Sequence, residues 1–439
     1  MKSTTRVFVA LVTVLALTAA CGNSKGTEST ATTAAGEPSG PTTTADLTKN
    51  VHLDGVPGVT DSTIRIAGVA AKTNPIGVNF GHAFEGTKAY FAMVNANGGI
   101  YGRKLELVSE HDDQTAKNQS EVDAILAQDN AFAIAPLATI LFTGAQELAD
   151  KGVPTFGWNI QDDWAKKTSL FGEKGSYLCI SCAAPTWPWV AQQMSRHKVA
   201  ILAYGVQQSK DCAEGWRKSI VQYGGDTKVA FFDNSLPYGV PDLSGDVKKM
   251  KDKGVNLIMT CMDQNGVVTL AKEVRRQNLD APQFLPNAYD PQFAKKFGKL
   301  FEGSLVGIQF WPFEEKTNQP QGMKDYQKWI EKVGGPKDEI SMAGWLSADL
   351  LYQGLKGAGP EFDRQKVVDA INRTKRWDAN GLNAGFDWTI AHEHVQPDSC
   401  FAIVEVHDGH FTPKYGKPGK PFVCLSNNTK TLPEAEIRS

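Results

Sequence analysis

The chain has 439 residues, with 46 Lys and Arg against 48 Asp and Glu and a formal charge of −2 at neutral pH. That balance, with no basic stripe, excludes a surface built for nucleic acid. The length suffices for two lobes with substantial cores, and beyond the N-terminal segment no stretch is long and apolar enough to cross a membrane.

A charged start (Lys2, Arg6) precedes an apolar run over residues 7–17. A bilayer span needs roughly 20 residues, so residues 1–20 read as an export signal and not an anchor. The run ends in Leu17-Thr18-Ala19-Ala20-Cys21, which resembles a bacterial lipoprotein lipobox, with Thr18 where such a box carries Leu, Val or Ile. The resemblance implies lipid on Cys21 and a body held at the outer face of the cytoplasmic membrane. Plain cleavage before Cys21 is the alternative. From residue 22 to about 54 the chain is rich in Thr, Ser, Ala, Gly and Pro, which predicts a flexible tether over residues 21–55.

From residue 56 strands and helices alternate. Residues 63–69 form a strand, and 84–95 carry the helical spacing Phe84, Ala89, Phe91, Val94, ended by Asn97-Gly98-Gly99. A strand over 105–110 and a helix over 116–128 follow. Residues 131–136, 144–151 and 153–158 continue as strand, helix and strand. A second series begins after Cys182: helix 187–196, strand 198–204, helix 213–223, strand 228–232, helix 243–253, strand 256–261, helix 267–277 and strand 283–286. Such alternation predicts an α/β fold with parallel sheets covered on both faces, and two series in succession predict two similar lobes.

Without Cys21, an even set of six cysteines remains, which an exported protein can oxidise. Cys400 and Cys424 flank two strand-like runs, 401–406 and 411–415, and are the preferred pair. Cys212 and Cys261 both lie near strand ends and can meet at one sheet edge. Cys179 and Cys182 form a Cys-x-x-Cys, read as a local bridge or a crossed pairing ahead of redox or zinc chemistry.

The run Gly86-Thr87-Lys88-Ala89-Tyr90-Phe91, continued by Asn97-Gly98-Gly99-Ile100-Tyr101-Gly102-Arg103-Lys104-Leu105, resembles the first helix-turn-strand of type I periplasmic binding proteins. The group it resembles is the branched-chain amino acid-binding proteins of ABC importers. His111-Asp112-Asp113, Ile134-Ala135-Pro136-Leu137, Gly152-Val153-Pro154 and Gly385-Phe386-Asp387 extend the likeness over residues 60 to 425. It implies two Rossmann-like lobes closing on a small ligand. The lobes would comprise residues 56–183 with 310–378, and 184–309 with 379–430. Three hinge crossovers are expected near 182–185, 308–312 and 377–383.

Ligands of parallel sheets bind beyond the carboxyl ends of the strands, here the loops 70–80, 137–143, 157–161, 204–211, 260–265 and 287–290. A ligand carboxylate is expected near Thr139 and Thr143, at a helix N-terminus. The family's acidic partner for a ligand amine falls at Ala288 or Tyr289, with Asp290 close enough to substitute. Its usual aromatic partner is replaced near Cys212. Phe80, Phe142, Trp158, Trp187, Trp189 and Tyr289 lie in or near these loops, and aromatic walls suit a flat or apolar ligand, adding about 0.5–1.5 kcal/mol per stacked pair. Asn159, Asp112, Lys210, Asp211, Asp263 and Asn265 are further polar candidates.

His392-Glu393-His394, with His407 and His410, would be the ligands of a metal-dependent lipoprotein enzyme, but no third ligand converges at a suitable spacing. No Gly-x-Ser-x-Gly nucleophile elbow is present. The expectation is therefore a non-catalytic, monomeric solute receptor without cofactor or metal. It would serve a membrane permease and its ATPase, or signal to a membrane sensor with no transport.

Overall fold

The computed structural model describes residues 46–239 and 242–439; the export signal, Cys21 and the tether up to residue 45 lie outside them. A strand buried on both faces must be apolar along its whole length, and the central strands meet that condition. The first lobe runs β1 (Thr63–Ala70), α1 (His82–Ala96), β2 (Lys104–Asp112), α2 (Asn118–Ala124), β3 (Ala133–Ala138), α3 (Ala145–Asp150), β4 (Thr155–Gly157) and β5 (Leu170–Gly172). Its five strands are all parallel, in the order β2-β1-β3-β4-β5, and every residue of the central β3 is buried.

The second lobe follows with α4 (Thr186–Gln193), β6 (Lys198–Tyr204), α5 (Gln207–Tyr223), β7 (Lys228–Leu236), α6 (Ser244–Asp252), β8 (Leu257–Cys261), α7 (Gln264–Arg276), β9 (Gln283–Leu285), α8 (Pro291–Phe297) and β10 (Leu305–Ile308). The chain then returns to the first lobe as α9 (Gln321–Lys332), α10 (Glu339–Ala358) and α11 (Arg364–Asn372). It ends in the second lobe with β11 (Asp398–His407), β12 (His410–Lys414), β13 (Phe422–Ser426) and β14 (Glu436–Arg438). The second sheet runs β14-β13-β11-β10-β9-β8-β6-β7, with β12 also on β11. β6 to β10 are parallel, and β11 to β14 are antiparallel.

α10 lies against α1 in backbone contact. A side chain at Gly86 would stand 1.7 Å from the Ser341 carbonyl oxygen, and one at Gly344 would stand 1.9 Å from that of Ala83. Only glycine allows this approach, which sets where α10 begins. Its first residue, Glu339, reaches the site described below.

Three disulfides join Cys179 to Cys182, Cys212 to Cys261 and Cys400 to Cys424. Cys400 and Cys424 face each other directly across β11 and β13. Cys212 does not simply follow a strand: α5 begins at Gln207, six residues before the predicted start, and carries it toward the end of β8.

Two expectations need correction. The predicted tether is ordered from residue 46, because Leu47, Leu53 and Val56 pack on the first core. The Arg103 guanidinium, 1% exposed, donates to the carbonyls of Val51 (2.6 Å), Thr60 (2.6 Å) and Tyr101 (3.1 Å). The segment's low apolar content concealed these few anchors.

The third crossover also comes later than residues 377–383. Trp377 donates to Asp349 (2.6 Å), Trp388 packs edge-on to Phe171 (5.3 Å), and His392 is bonded to the Lys167 carbonyl and to Asn372. These contacts keep the chain on the first lobe until about Val395, so residues 379–394 do not belong to the second lobe. They also engage both ring nitrogens of His392, which removes it from any metal cluster.

Replacing Arg103 with Met removes the donors to three carbonyls, of which that of Tyr101 is buried. Arg103→Met should destabilise the chain by about 2–4 kcal/mol. Urea unfolding should show the lower midpoint, and limited proteolysis should show new cleavage N-terminal to Val56.

Candidate functional site

The carboxyl ends of the first sheet converge on one floor. Glycine at the ends of β4 and β5 makes room for it: a side chain at Gly172 would overlap Asn159, and one at Gly157 would meet the Leu137 carbonyl. Asn159, buried, donates to the Gly175 carbonyl (2.8 Å) and accepts from the Lys174 amide (3.1 Å). It thereby holds the segment that carries Glu173 and Lys174. Trp158 packs on Phe80, with ring centres 4.9 Å apart, and the Lys174 ammonium lies 5.5 Å from the Trp158 ring. Around them Ala70, Ala71, Ala138 and Ile340 form a small apolar cluster, flanked by Ile76, Ile140 and Ile160.

Two carboxylates share that ammonium. Glu173 approaches Lys174 to 3.7 Å and Glu339 to 3.6 Å. Asp338 caps α10 in a reciprocal pair with Ser341, which orients Glu339 in the first turn. Burial lifts the Glu173 carboxyl to about 7; Lys174 opposes the rise and Glu339 adds to it. Burial also raises Glu339, again against Lys174. A pocket of about 260 Å3 reaches Lys174 from the hinge side, bordered by the Cys179–Cys182 bridge, Trp187, Trp216, Phe386 and Phe401.

The second lobe touches the loops around this floor. Gln208 donates to the Ile160 carbonyl (3.4 Å), Asn265 to that of Pro75 (3.3 Å), and the Glu339 amide to that of Tyr289 (3.0 Å). Asp263 caps α7 through the Gly266 amide (2.7 Å) and accepts from the Tyr204 hydroxyl (3.1 Å). Asp211 is bonded to Gln207 (2.9 Å), with Lys210 in the same turn of α5. Asp211 faces Asp162 of the first lobe, whose carboxyl is raised by burial and by that charge. Asp290, half-buried, caps α8 through Gln292 (2.8 Å) and faces Asp338 and His82, which are bonded to each other. Burial raises Asp290, and Asp338 adds to the rise.

Several expected contacts are engaged elsewhere. Thr139 is buried and donates to Asp113, which also accepts from the Thr115 amide and Asn118. The chain's own carboxylate thus occupies the position foreseen for a ligand's. Thr143 accepts from the Gln119 amide (3.0 Å) at the start of α2. Phe142 packs on Trp164 inside the first core. Tyr289 stacks on Phe313 (4.8 Å) and donates to Glu314, within an aromatic core. Trp187 packs on Phe284 (4.1 Å), and Trp189 on Tyr415 and Phe401. Asp112 shapes the loop after β1 by accepting from the Thr73 and Gln114 amides. Of the expected residues, Phe80, Trp158 and Asn159 lie together on the first-lobe floor, and Asn265 reaches the first lobe from the second at Pro75.

Sequence reasoning missed Glu173, Lys174, Ser176, Gln208 and Glu339. A signal existed for three of them: Glu173 and Lys174 directly follow the strand end Leu-Phe-Gly, and Asp338-x-x-Ser341 marks a helix start that places Glu339 in its first turn.

The sequence profile of the periplasmic binding protein family matches residues 63–410, and the chain belongs to that family. No functionally curated protein matches its sequence. Among solved structures, an ABC-transporter solute-binding protein from Rhodopseudomonas palustris HaA2, in complex with p-hydroxybenzoic acid, aligns at a TM-score of 0.67 and 15% identity, covering 84% of this chain and 98% of that one. A fatty acid ABC transporter substrate-binding protein from Thermomonospora curvata aligns at 0.66 and 18%, covering 86% and 95%. A branched-chain amino acid ABC transporter protein from Thermus thermophilus with bound valine aligns at 0.64 and 17%, covering 80% and 95%. At these identities the likeness establishes the fold, that of a type I periplasmic binding protein.

The raised Glu173 carboxyl yields a test. Its folded value of about 7 lies above its unfolded value of about 4.5, so it lowers stability as pH rises between the two. Glu173→Gln should therefore match the parent near pH 4.5. Above pH 7 it should be more stable, by on the order of 2 kcal/mol, as read from melting curves across that range.

Proposed function

We propose that the chain is an extracytoplasmic solute receptor, held to the membrane by lipid on Cys21, that closes its lobes on a small ligand and delivers it to an ABC importer. The observation that carries this reading is the floor under Trp158 and Lys174. There, buried polar groups have no partner among the described residues, and residues of the second lobe bond to neighbouring loops of the first. Membership in the periplasmic binding protein family supports it, as do fold neighbours crystallised with valine and with p-hydroxybenzoic acid. The ligand contacts both lobes and shifts the population toward the closed form by its greater affinity for that form. The open and closed surfaces differ, and the permease reads that difference.

The binding residues are Trp158, Lys174 and Glu339 on the first lobe, with Gln208, Asp263 and Asn265 on the second. The acid pairs that closure brings together, Asp162 with Asp211 and Asp290 with Asp338, keep the unliganded protein from closing too tightly.

A thermal-shift screen of the mature protein against amino acids, small amides, aromatic acids and other carboxylates tests the reading. A ligand at 100 times its Kd adds about 2.7 kcal/mol, a shift of several degrees, and small-angle scattering should show a smaller radius of gyration in its presence. No shift with any solute would leave the receptor reading without support. Asn265→Ala with Gln208→Ala removes two contacts between the lobes and should weaken binding of such a hit by about 1 kcal/mol, measured by calorimetry. Cys21→Ala should release the protein from membranes into the soluble fraction.

A further inference from the structure

Three buried polar groups near Lys174 have no partner among the described residues: the Trp158 indole N–H, the Ser176 hydroxyl and one carboxylate oxygen of Glu339. Trp158 is 1% exposed, Ser176 0% and Glu339 6%. An unpaired buried group costs about 1–3 kcal/mol, so these three call for a partner from outside the chain.

The set has a definite chemistry. The indole N–H only donates, the free carboxylate oxygen accepts, and the hydroxyl does either. Lys174 lies over the Trp158 ring, so the place a ligand cation would take there is filled by the chain's own ammonium. The same ammonium lies between Glu173 and Glu339, so a ligand anion would compete with two carboxylates for it.

We propose that this floor is a subsite for an uncharged head group that donates to Glu339 and accepts from Trp158 and Ser176, as a primary amide does; the assignment rests on the receptor reading above. The amide oxygen takes the two donors and its N–H meets the free Glu339 oxygen. No net charge is brought into a cluster that already carries two acids on one base. The pocket beside Lys174 leaves space on the hinge side for the rest of the molecule.

Calorimetry on the mature protein with isobutyramide, isobutyrate and isobutylammonium, between pH 5 and 8.5, tests this with three head groups on one apolar body. Isobutyramide should bind at least about tenfold tighter than the other two. Trp158→Phe keeps a ring but removes the N–H, and should lose about tenfold in isobutyramide affinity while the unliganded melting point stays within a degree or so.

Tighter isobutylammonium, with affinity rising through pH 7, would make the floor a cation site and overturn the proposal. Tighter isobutyrate would overturn it in favour of an anion on Lys174. An unchanged Trp158→Phe affinity, or binding of none of the three, also overturns it. If another solute still closes the lobes in that last case, the head-group assignment fails and the receptor reading stands. If no solute binds, both fail.

Discussion

A single ammonium serves two buried carboxylates at the junction of the lobes. Lys174 stands at similar distances from Glu173 and Glu339, and neither acid can move into water while the cleft is closed. One positive charge cannot hold two negative ones at low dielectric, so the cluster resolves the imbalance by binding a proton or by the nature of what it binds. Much of the surrounding structure serves to bring these three side chains together from distant parts of the chain.

Glu173 and Lys174 come from the end of β5 and are oriented by Asn159, which fits only because Gly172 has no side chain. Glu339 comes from a helix that enters the first lobe after the chain has crossed to the second and returned. Its position depends on the glycine contact of α1 with α10 and on the Asp338–Ser341 cap. The site is thus assembled by topology. A change at Gly86 or Gly344, far from any ligand, would shift Glu339 and disturb the balance around Lys174.

The first lobe closes its own anion site. Asp113 takes the Thr139 hydroxyl, a backbone amide and the Asn118 amide, and Thr143 caps α2. A ligand carboxylate has no vacancy there. At the neighbouring strand ends and at the start of α10, Trp158, Ser176 and Glu339 each keep a buried polar atom with no partner among the described residues.

The α/β alternation, two lobes and family were legible in the sequence, because strand and helix periodicities and the Asn-Gly-Gly-Ile-x-Gly turn are local signals. β6 was predicted to the residue, since a continuous apolar run bounded by charged and glycine positions has one reading. Trp158, Asn159, Asp263 and Asn265 could be placed at strand ends for the same reason. The partners of each side chain could not be read locally. Whether Thr139 faces a ligand or Asp113, whether Tyr289 lines a cleft or an aromatic core, and where the third crossover falls all depend on contacts between residues far apart in the chain. The Glu173–Lys174–Glu339 cluster is the clearest case: more than 160 residues separate its two carboxylates, and only the return of α10 to the first lobe makes them neighbours. Local periodicity determined the elements and their order; long-range packing decided which polar groups were left free to bind.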